Sequence, residues 1–373
     1  MVILVIARGI PSKKFPLIGI FEYHQALVLS KKHDVIFLSV DLRSFHKLRH
    51  FGRRVFKHNE SLSIINWSLP TLGRFTPELI FGILSNKLFA VELRRLKETP
   101  DVVHFHFGDF ASRFFKSLRP LKAIKVLTEH GSNTYKFKES LDYVSKITPI
   151  YKSFDRVVAV SEPLKDTLEK YYSAYNSIII PNMFSPLFSL SEVTKNDNFT
   201  YICVASIDEN KNIRALLEAF KKEFDLIESV TLTIIGDGPL RLSFQRDYAS
   251  DSIRFIGSLS REEVASEMKK AHVFALPSLI ETFGVVYIEA MACGLPVIAN
   301  RSGGPEFFVN DSNGIILKNH SIEELRNALR FMYQNYTSYD KNKISQFAYG
   351  NFSEDAVSLK LINLYKELMA EDK

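Results

Sequence analysis

Residues 273–300 read VFALPSLIETFGVVYIEAMACGLPVIAN, and this stretch decides the fold. The run Val273–Leu276 has the length and composition of a buried strand, and Val285–Ala292 has the pattern of a helix that ends at Cys293-Gly294. A second strand follows at Pro296–Ala299. This order of strand, helix and strand predicts a parallel sheet with right-handed crossovers.

The loop before that helix has the features of an anion site. A helix that begins beyond the carboxyl end of a strand presents unpaired N–H groups and the positive end of its dipole. A diphosphate suits such a site well. Thr282 can cap the helix, and Gly284 lets a phosphate approach the backbone without a Cβ in the way.

Two carboxylates flank the start of the helix, Glu281 in the loop and Glu289 within the helix. Each can accept two hydrogen bonds from the paired hydroxyls of a sugar or a ribose. Taken alone, either glutamate is as well explained as an ordinary surface residue. Together with the surrounding stretch, the pair favours a site for a sugar nucleotide.

Short apolar runs alternate with helical patterns on both sides of this stretch. Further strands are predicted at Val2–Ala7, Val35–Val40, Val102–Phe107, Ile124–Thr128, Val157–Val160, Tyr201–Ala205, Thr231–Ile235 and Phe255–Ile256. Further helices are predicted at Phe21–Lys32, Ile213–Phe224, Arg261–Lys270 and Ile322–Asn335. Residues 45–96 are less regular, and we interpret them as an elaboration of the N-terminal domain.

The chain therefore reads as an α/β protein with two Rossmann-like, doubly wound domains. We place the N-terminal, acceptor-binding domain at residues 1–183 and the nucleotide-sugar-binding domain at residues 199–355. The Ser-, Pro- and Asn-rich residues 184–198 are the expected linker. Residues 356–373 are expected to form a helix that packs back on the N-terminal domain.

The stretch from Glu281 to Val297 resembles the Glu-x7-Glu signature of the retaining GT-B glycosyltransferases of glycosyltransferase family four, group 1. Other segments match the family in the expected order: residues 101–106, 128–131, 159–161, 180–182, 234–239, 255–258, 302–306 and 313–316. The resemblance implies two domains facing an interdomain cleft. It also implies a hexosyltransferase-type enzyme (EC 2.4) that uses a nucleotide sugar, most commonly a UDP-sugar.

The resemblance implies a role for each matching residue. Glu281 would hold hydroxyls of the donor sugar near the anomeric carbon, and Glu289 would accept from the ribose. Lys211 matches the basic residue that neutralises the departing diphosphate. His130 matches the histidine that lies over the donor sugar. The remaining donor-binding positions are the backbone at Thr282, Phe283 and Gly284, together with Gly257, Ser206 and the glycine-loop residue Gly19.

Ser206 is a departure from the family, which often carries an arginine at this position. The second cation beside the diphosphate is therefore missing or is supplied by Arg8 or Arg241. No Asp-x-Asp metal motif is present, so we expect no divalent ion and no cofactor. Same-face attack with retention is the expected mechanism, since no carboxylate stands out as a nucleophile for double displacement.

Four residues in the first half can be explained by a structural role. Gly19 is explained equally well as a surface-turn glycine, and His130 could be a structural residue at a strand end. His104 and His106 are two apart and so lie on one face of a strand. Without an evident third ligand, a packing role is favoured over metal binding.

Charge is distributed unevenly. Residues 1–190 contain 28 Lys and Arg against 16 Asp and Glu, although the whole chain has a net charge of only +6. The strongest basic stretch is residues 43–57, which is either a solvated face or a contact for an anionic membrane or a phosphate-bearing acceptor. Without a nucleic-acid reader motif, no nucleic-acid partner is expected.

The remaining composition favours a cytoplasmic protein, either free or peripheral at the inner face of the membrane. The N-terminus has no signal-peptide pattern, and Cys203 and Cys293 are best explained as buried, reduced thiols. The expected acceptor is a growing surface glycan or a lipid-linked glycan, as in polysaccharide biosynthesis.

Three other functions compete with a glycosyltransferase. An NAD(P)-dependent oxidoreductase needs a Gly-x-Gly-x-x-Gly fingerprint after the first strand, and Arg8-Gly9-Ile10-Pro11-Ser12 lacks it. A nucleotide-sugar epimerase of GT-B architecture would isomerise the donor without an acceptor. A catalytically silent protein that binds nucleotide or membrane would fit the loss of an arginine at Ser206.

Overall fold

The computed structural model describes residues 1–12, 15, 18–42, 51–71, 77–118, 120–131, 133–135 and 140–371. The chain divides into two compact units. The first is residues 1–160, 164–180 and 358–373, and the second is residues 161–163 and 181–357. The predicted linker thus lies in the second unit, and the end of the chain lies in the first.

Parallel strands form the centre of the first unit. The strands are β1 (Val2–Ala7), β2 (Asp34–Asp41), β3 (Gly52–Lys57), β4 (Leu62–Ser68), β5 (Val102–His106), β6 (Ile124–Glu129), β7 (Arg156–Ala159) and β8 (Ser177–Ile179). Their order in the sheet is β3-β4-β2-β1-β5-β6-β7-β8, and β3 alone among these strands is antiparallel to its neighbour. The central strands are apolar and buried, as is typical of a parallel sheet covered on both faces.

The helices of this unit follow the strands in the order expected of a doubly wound fold. They are α1 (Ile20–Leu29), α2 (Glu78–Arg95), α3 (Gly108–Ala111), α4 (Phe115–Leu118), α5 (Leu141–Tyr151) and α6 (Glu162–Tyr172). The last helix of the chain contributes its residues 358–371 to the same unit.

The second unit has a six-stranded parallel sheet. Its strands are β9 (Phe199–Val204), β10 (Val230–Ile235), β11 (Ile253–Gly257), β12 (Val273–Leu276), β13 (Val297–Asn300) and β14 (Gly314–Leu317), in the order β11-β10-β9-β12-β13-β14. Its helices are α7 (Ile213–Phe224), α8 (Arg241–Tyr248), α9 (Arg261–Lys270), α10 (Val285–Ala292), α11 (Ile322–Asn335) and α12 (Lys341–Phe352), and α13 (Glu354–Glu371) follows. The order reverses between β9 and β12, a position where α/β sheets bind ligands at the carboxyl ends of their strands.

Most predicted elements are confirmed, but residues 45–96 are more regular than the sequence predicted. The described part of this region contains β3, β4 and the 18-residue helix α2. Edge strand β3 is largely exposed, so it shows no alternating pattern. Helix α2 carries apolar residues on its buried and its exposed face, which hides the helical period.

No helix among the described residues is both long and apolar enough to cross a membrane.

Candidate active site

The loop between β12 and α10 is fixed by hydrogen bonds from outside it. Asn210 accepts from the N–H groups of Leu279 (2.8 Å, through its carbonyl) and Ile280 (3.1 Å, through Oδ1), and its Nδ2 donates to the Ile280 carbonyl (3.0 Å). On the other side, the Glu281 N–H donates to the Ser302 carbonyl over 2.9 Å. The loop that precedes α10 is thereby held in one conformation.

Gly284 begins helix α10 in a conformation that favours glycine. It is the N-cap residue with φ +86°, and a Cβ at this position would lie 2.6 Å from the Tyr287 ring. Tyr287 is itself fixed, because its buried hydroxyl donates to the Leu276 carbonyl over 2.6 Å. The prediction that Thr282 caps the helix is wrong: the left-handed turn makes Gly284 the N-cap, which has no side chain to do so.

Lys211 and Glu281 meet at the mouth of this loop. The Lys211 ammonium lies 2.6 Å from Glu281 Oε1, and both side chains are mostly buried, with exposed fractions of 20% and 13%. Lys211 ends a short 3₁₀ helix, Glu209–Lys211, whose first turn is capped by the side chain of Asp208. A cation and an anion are thus held together next to the start of α10.

Glu289 lies in the second turn of α10 and is also paired. The Arg261 guanidinium donates to Glu289 Oε1 over 2.5 Å and lies 5.1 Å from the centre of the Phe188 ring. Glu289 is buried, whereas the Arg261 side chain remains 39% exposed. Arg261 is oriented by the start of α9, where Ser260 and Glu263 form a capping box.

A glycine turn supports the loop that carries Lys211. Gly236 (φ +137°) packs against the backbone of Ala205, and Gly238 packs against the backbone of Ile207, at distances that leave no room for a Cβ. Ser206, between those two residues, donates from Oγ to Asp208 Oδ2 over 2.6 Å. Its hydroxyl therefore serves the same Asp208 that caps the 3₁₀ helix.

Arg241 lies beside Gly257. Its Nη1 would be 3.7 Å from a Cβ on Gly257, whose φ is +86°. Its ion pair with Asp237 is long, at 3.9 Å, and its Nη2 donates to Gln245 over 3.3 Å, while its Nε is buried without a hydrogen-bond partner among the described residues. Arg8, the other candidate for the second cation, is already engaged: its Nε donates to buried Glu22 over 3.0 Å, and its guanidinium lies 3.4 Å from the centre of the Phe107 ring.

Phe283 can offer only its backbone to a ligand. Its ring is buried between those of Phe308 and Phe352 at 5.1 and 5.7 Å, and a Cβ on Gly304 would meet its backbone. In the second unit the structure therefore brings together Lys211 with Glu281, and Arg261 with Glu289, around the start of α10.

In the first unit, Gly19 is a buried glycine and not a surface turn. It is the N-cap of α1 with φ +66°, and it packs directly against the backbone of Gly9. This close contact between two loops requires a glycine.

Three histidines of the first unit, His104, His106 and His130, form a cluster toward the carboxyl ends of β5 and β6. His106 Nδ1 lies 2.9 Å from His130 Nε2, and the ring of Phe21 stacks on His130 at 5.1 Å. His104 is buried and hydrogen-bonds Thr128 and the Tyr365 hydroxyl. Burial lowers the pKa of His104 to about 3 and that of His106 well below its ordinary value, so both rings are neutral.

The hydrogen bond between His106 Nδ1 and His130 Nε2 couples the tautomers of the two rings. If His106 donates from Nδ1, a neutral His130 carries its proton on Nδ1 as well. If His130 donates from Nε2, the neutral His106 carries its proton on Nε2.

Glu129, next to His130, has an unusual environment for a carboxylate. It is fully buried and accepts from the Gly108 and Gly131 N–H groups, each at 2.7 Å, and from the Tyr151 hydroxyl at 2.8 Å. Burial and the nearby Asp109 raise its pKa to about 7, although those hydrogen bonds act in the opposite direction.

Comparison with known proteins identifies the family. Residues 23–186 match the family model for Glycosyltransferase Family 4, and residues 189–349 match the model for Glycosyl transferases group 1. The α-monoglucosyldiacylglycerol synthase of Acholeplasma laidlawii is 31% identical over 295 residues, which cover 68% of this chain and 71% of that protein. The chain belongs to glycosyltransferase family 4.

Solved structures place this family 4 enzyme in the GT-B fold. Sucrose-phosphate synthase from Thermosynechococcus elongatus superimposes with a TM-score of 0.80 at 20% identity, covering 100% of both chains. Anabaena HepE, solved in complex with UDP and glucose, gives a TM-score of 0.74 at 17% identity and covers 98% of this chain and 100% of its own. The predicted fold and enzyme class are confirmed.

Several residues of this family 4 enzyme's site were missed by sequence reasoning. Asn210 and Arg261 reach the loop and Glu289 from distant positions, and nothing in their local sequence shows those contacts. The partnership of His106 with His130 could have been found, since parallel β5 and β6 are neighbours in the sheet. Within the described ranges, no three His, Cys, Asp or Glu side chains are arranged to hold a metal ion.

Proposed function

We propose that this family 4 glycosyltransferase transfers a sugar from a UDP-sugar to a glycan or lipid-linked acceptor with retention of configuration. The Lys211–Glu281 ion pair at the start of α10 carries the proposal, because it puts a cation and a hydroxyl-binding carboxylate beside the N-terminus of a helix.

In the proposed reaction the enzyme positions the two substrates and stabilises the charge that develops on the leaving group. The bond between the anomeric carbon and the diphosphate oxygen breaks, and the acceptor oxygen attacks from the same face. The departing diphosphate oxygen takes the acceptor proton. Lys211 and the backbone at Thr282, Phe283 and Gly284 offset the charge that develops on the diphosphate.

The two glutamates have different proposed partners. Glu281, held by Lys211, accepts from hydroxyls of the transferred sugar, and Glu289, held by Arg261, accepts from the ribose. Gly257 leaves room for the nucleotide beside Arg241. The contacts of His130 and Gly19 with the donor stay predictions from the family resemblance, as does a reaction without a divalent metal.

Arg241 is the proposed second cation of the site. Ser206 cannot supply the charge that the family arginine carries, and its hydroxyl is bound to Asp208. Arg241 begins α8 directly after the glycine turn that supports residues 205–208, and its contacts with Asp237 (3.9 Å) and Gln245 (3.3 Å) are both long, so an anion can compete for its guanidinium. An Arg241→Ala variant should bind UDP more weakly.

Two comparisons support the choice of substrates. The Anabaena neighbour was solved with UDP and glucose, which supports a uridine nucleotide as donor. The A. laidlawii relative is a glycosyldiacylglycerol synthase by name, which supports a lipid acceptor. Basic residues 43–57 offer a contact for an anionic membrane; residues 43–50 lie outside the described residues, and residues 52–57 form β3.

A panel of nucleotide sugars tests the donor. Thermal shift and donor hydrolysis are measured for UDP-, GDP- and ADP-sugars, and the anomer of the transferred product is read by NMR. We expect UDP-sugars to stabilise the protein most, and the product to keep the configuration of the donor. An inverted product would overturn the retaining mechanism, and preference for another base would overturn the donor.

A further inference from the structure

Helix α2 presents an uncovered apolar face to solvent. Its buried face packs through Phe81 and Phe89 against the residues that follow β5. The opposite side is exposed, and its apolar members Leu79, Ile80 and Ile83 are 74%, 44% and 47% exposed. The core of the first unit buries only one of the two apolar faces of α2. The exposed apolar face is therefore a candidate interaction surface.

The exposed side continues as a mixed apolar and basic stripe. We define the α2 stripe as Leu79, Ile80, Ile83, Lys87, Val91, Arg94 and Arg95, all of which are exposed. Most are four residues apart, so they lie along one side of the helix. The apolar residues concentrate in its first turns and the cations in its last. None of the described exposed side chains of α2 is acidic.

The neighbouring basic strand, β3, is less suited than the α2 stripe to serve as a contact surface. Arg53 of β3 forms two hydrogen bonds of 2.8 Å with Glu92, which is buried and also accepts from Trp67 at 3.1 Å. Burial alone would raise the pKa of Glu92, but its hydrogen bonds from Arg53, Trp67 and Arg95 leave the pKa below its ordinary value. Arg53 therefore stabilises the fold, and reversing its charge would place two carboxylates together.

We propose that the α2 stripe is a docking surface for an anionic lipid membrane. Apolar side chains next to Lys and Arg on one side of a helix match the boundary between acyl chains and phosphate headgroups. Charge complementarity selects an anionic bilayer, since the stripe has cations and no described acid. The inference rests on the proposed lipid-linked acceptor, which such docking would bring to the first unit.

Vesicle sedimentation of matched variants tests the surface. The stripe variant carries Leu79→Ser, Ile83→Ser, Lys87→Glu and Arg94→Glu. The control makes two aliphatic-to-serine and two cation-to-glutamate exchanges at exposed positions elsewhere: Leu141→Ser, Leu226→Ser, Lys221→Glu and Lys222→Glu. Vesicles are of phosphatidylcholine, with and without phosphatidylglycerol.

We expect the wild-type protein and the control to bind the phosphatidylglycerol vesicles. The stripe variant should partition at least about thirtyfold more weakly, from the loss of its two cations alone. The proposal is overturned if the wild-type protein stays in solution, if it binds neutral vesicles equally well, or if the stripe variant binds like the control.

Donor hydrolysis without vesicles separates this inference from the proposed function. The stripe variant should hydrolyse a UDP-sugar in solution as the wild-type protein does. Vesicle binding without any use of UDP-sugars would contradict the proposed function and leave the surface standing. Normal donor use without vesicle binding would overturn the surface alone.

Discussion

The two units of this glycosyltransferase both gather polar side chains at the carboxyl ends of parallel strands, but they treat charge in opposite ways. In the second unit, Lys211–Glu281 and Arg261–Glu289 are partly exposed ion pairs. In the first, His104 and His106 are buried and neutral, and burial raises the pKa of Glu129 toward neutrality. The difference suggests that one set of residues meets a charged ligand, while the other provides neutral, fixed hydrogen-bonding groups.

The largest expected effect is the loss of either partner of the first ion pair. Lys211→Ala or Glu281→Ala should lower turnover by about 10³-fold, since the charge of the departing diphosphate loses its counterion or the sugar loses its anchor. Steady-state transfer rates measure this, and circular dichroism checks the fold. Lys222→Ala, at the exposed end of α7, is the control. Turnover like that of the control would remove both residues from the reaction.

The buried carboxyl of Glu129 in the first unit predicts that the free energy of unfolding depends on pH. The pKa of Glu129 is raised from 4.5 to about 7 in the folded protein. Its protonated carboxyl therefore stabilises the folded state fully below pH 4.5, and this contribution is lost as the pH rises through about 7. The loss should amount to about 3 kcal/mol. Urea unfolding across this range should show it for the wild-type protein.

Glu129→Gln should flatten that pH dependence, although the variant is less stable at low pH because an amide replaces the carboxyl group. Exposed Glu162→Gln should leave the pH profile unchanged. The same slope in both variants would show that Glu129 ionises as an ordinary carboxylate.

The second ion pair is expected to act on binding more than on chemistry. Arg261→Ala removes the guanidinium that orients Glu289, so the KM for the donor should rise by about tenfold while kcat changes little. Arg261→Lys should recover part of the loss. A KM equal to that of the wild-type protein would mean that Glu289 needs no support.

The smallest effect concerns the tautomer of His130. In the wild-type protein, ¹⁵N NMR should show the proton on the nitrogen of the same name in both rings, because His106 Nδ1 and His130 Nε2 share one hydrogen bond. His106→Phe removes that bond, so the ¹⁵N shifts of His130 should change and kcat/KM should fall a few-fold. Exposed His320→Gln is the control. Different tautomers in the two rings of the wild-type protein would contradict the hydrogen bond.

The elements predicted correctly from the sequence are those whose pattern lies within one short, continuous segment. Strand β12 and helix α10 were predicted with their observed bounds, since an apolar strand, a polar loop and a helix follow one another within one short stretch. Helices α7, α9 and α11 were predicted with equal success. In each case local periodicity and tertiary burial agree.

The missed parts depend on contacts between distant residues. Asn210 and Arg261 act on residues far along the chain, and only the folded sheet brings them together. Strand β3 is recognisable only from its pairing with β4, since exposure removes its apolar pattern. The prediction that Thr282 caps α10 was wrong because Gly284 adopts a left-handed backbone conformation and is itself the N-cap of the helix.

Calorimetric titration with UDP and UMP tests most directly whether the loop before α10 binds a diphosphate. If it does, wild-type protein should bind UDP at least about tenfold more tightly than UMP, from the charge-assisted contacts of the second phosphate. Lys211→Ala should remove most of that difference while leaving UMP affinity nearly unchanged. Equal affinities for UDP and UMP in the wild-type protein, or no binding of either, would contradict the account.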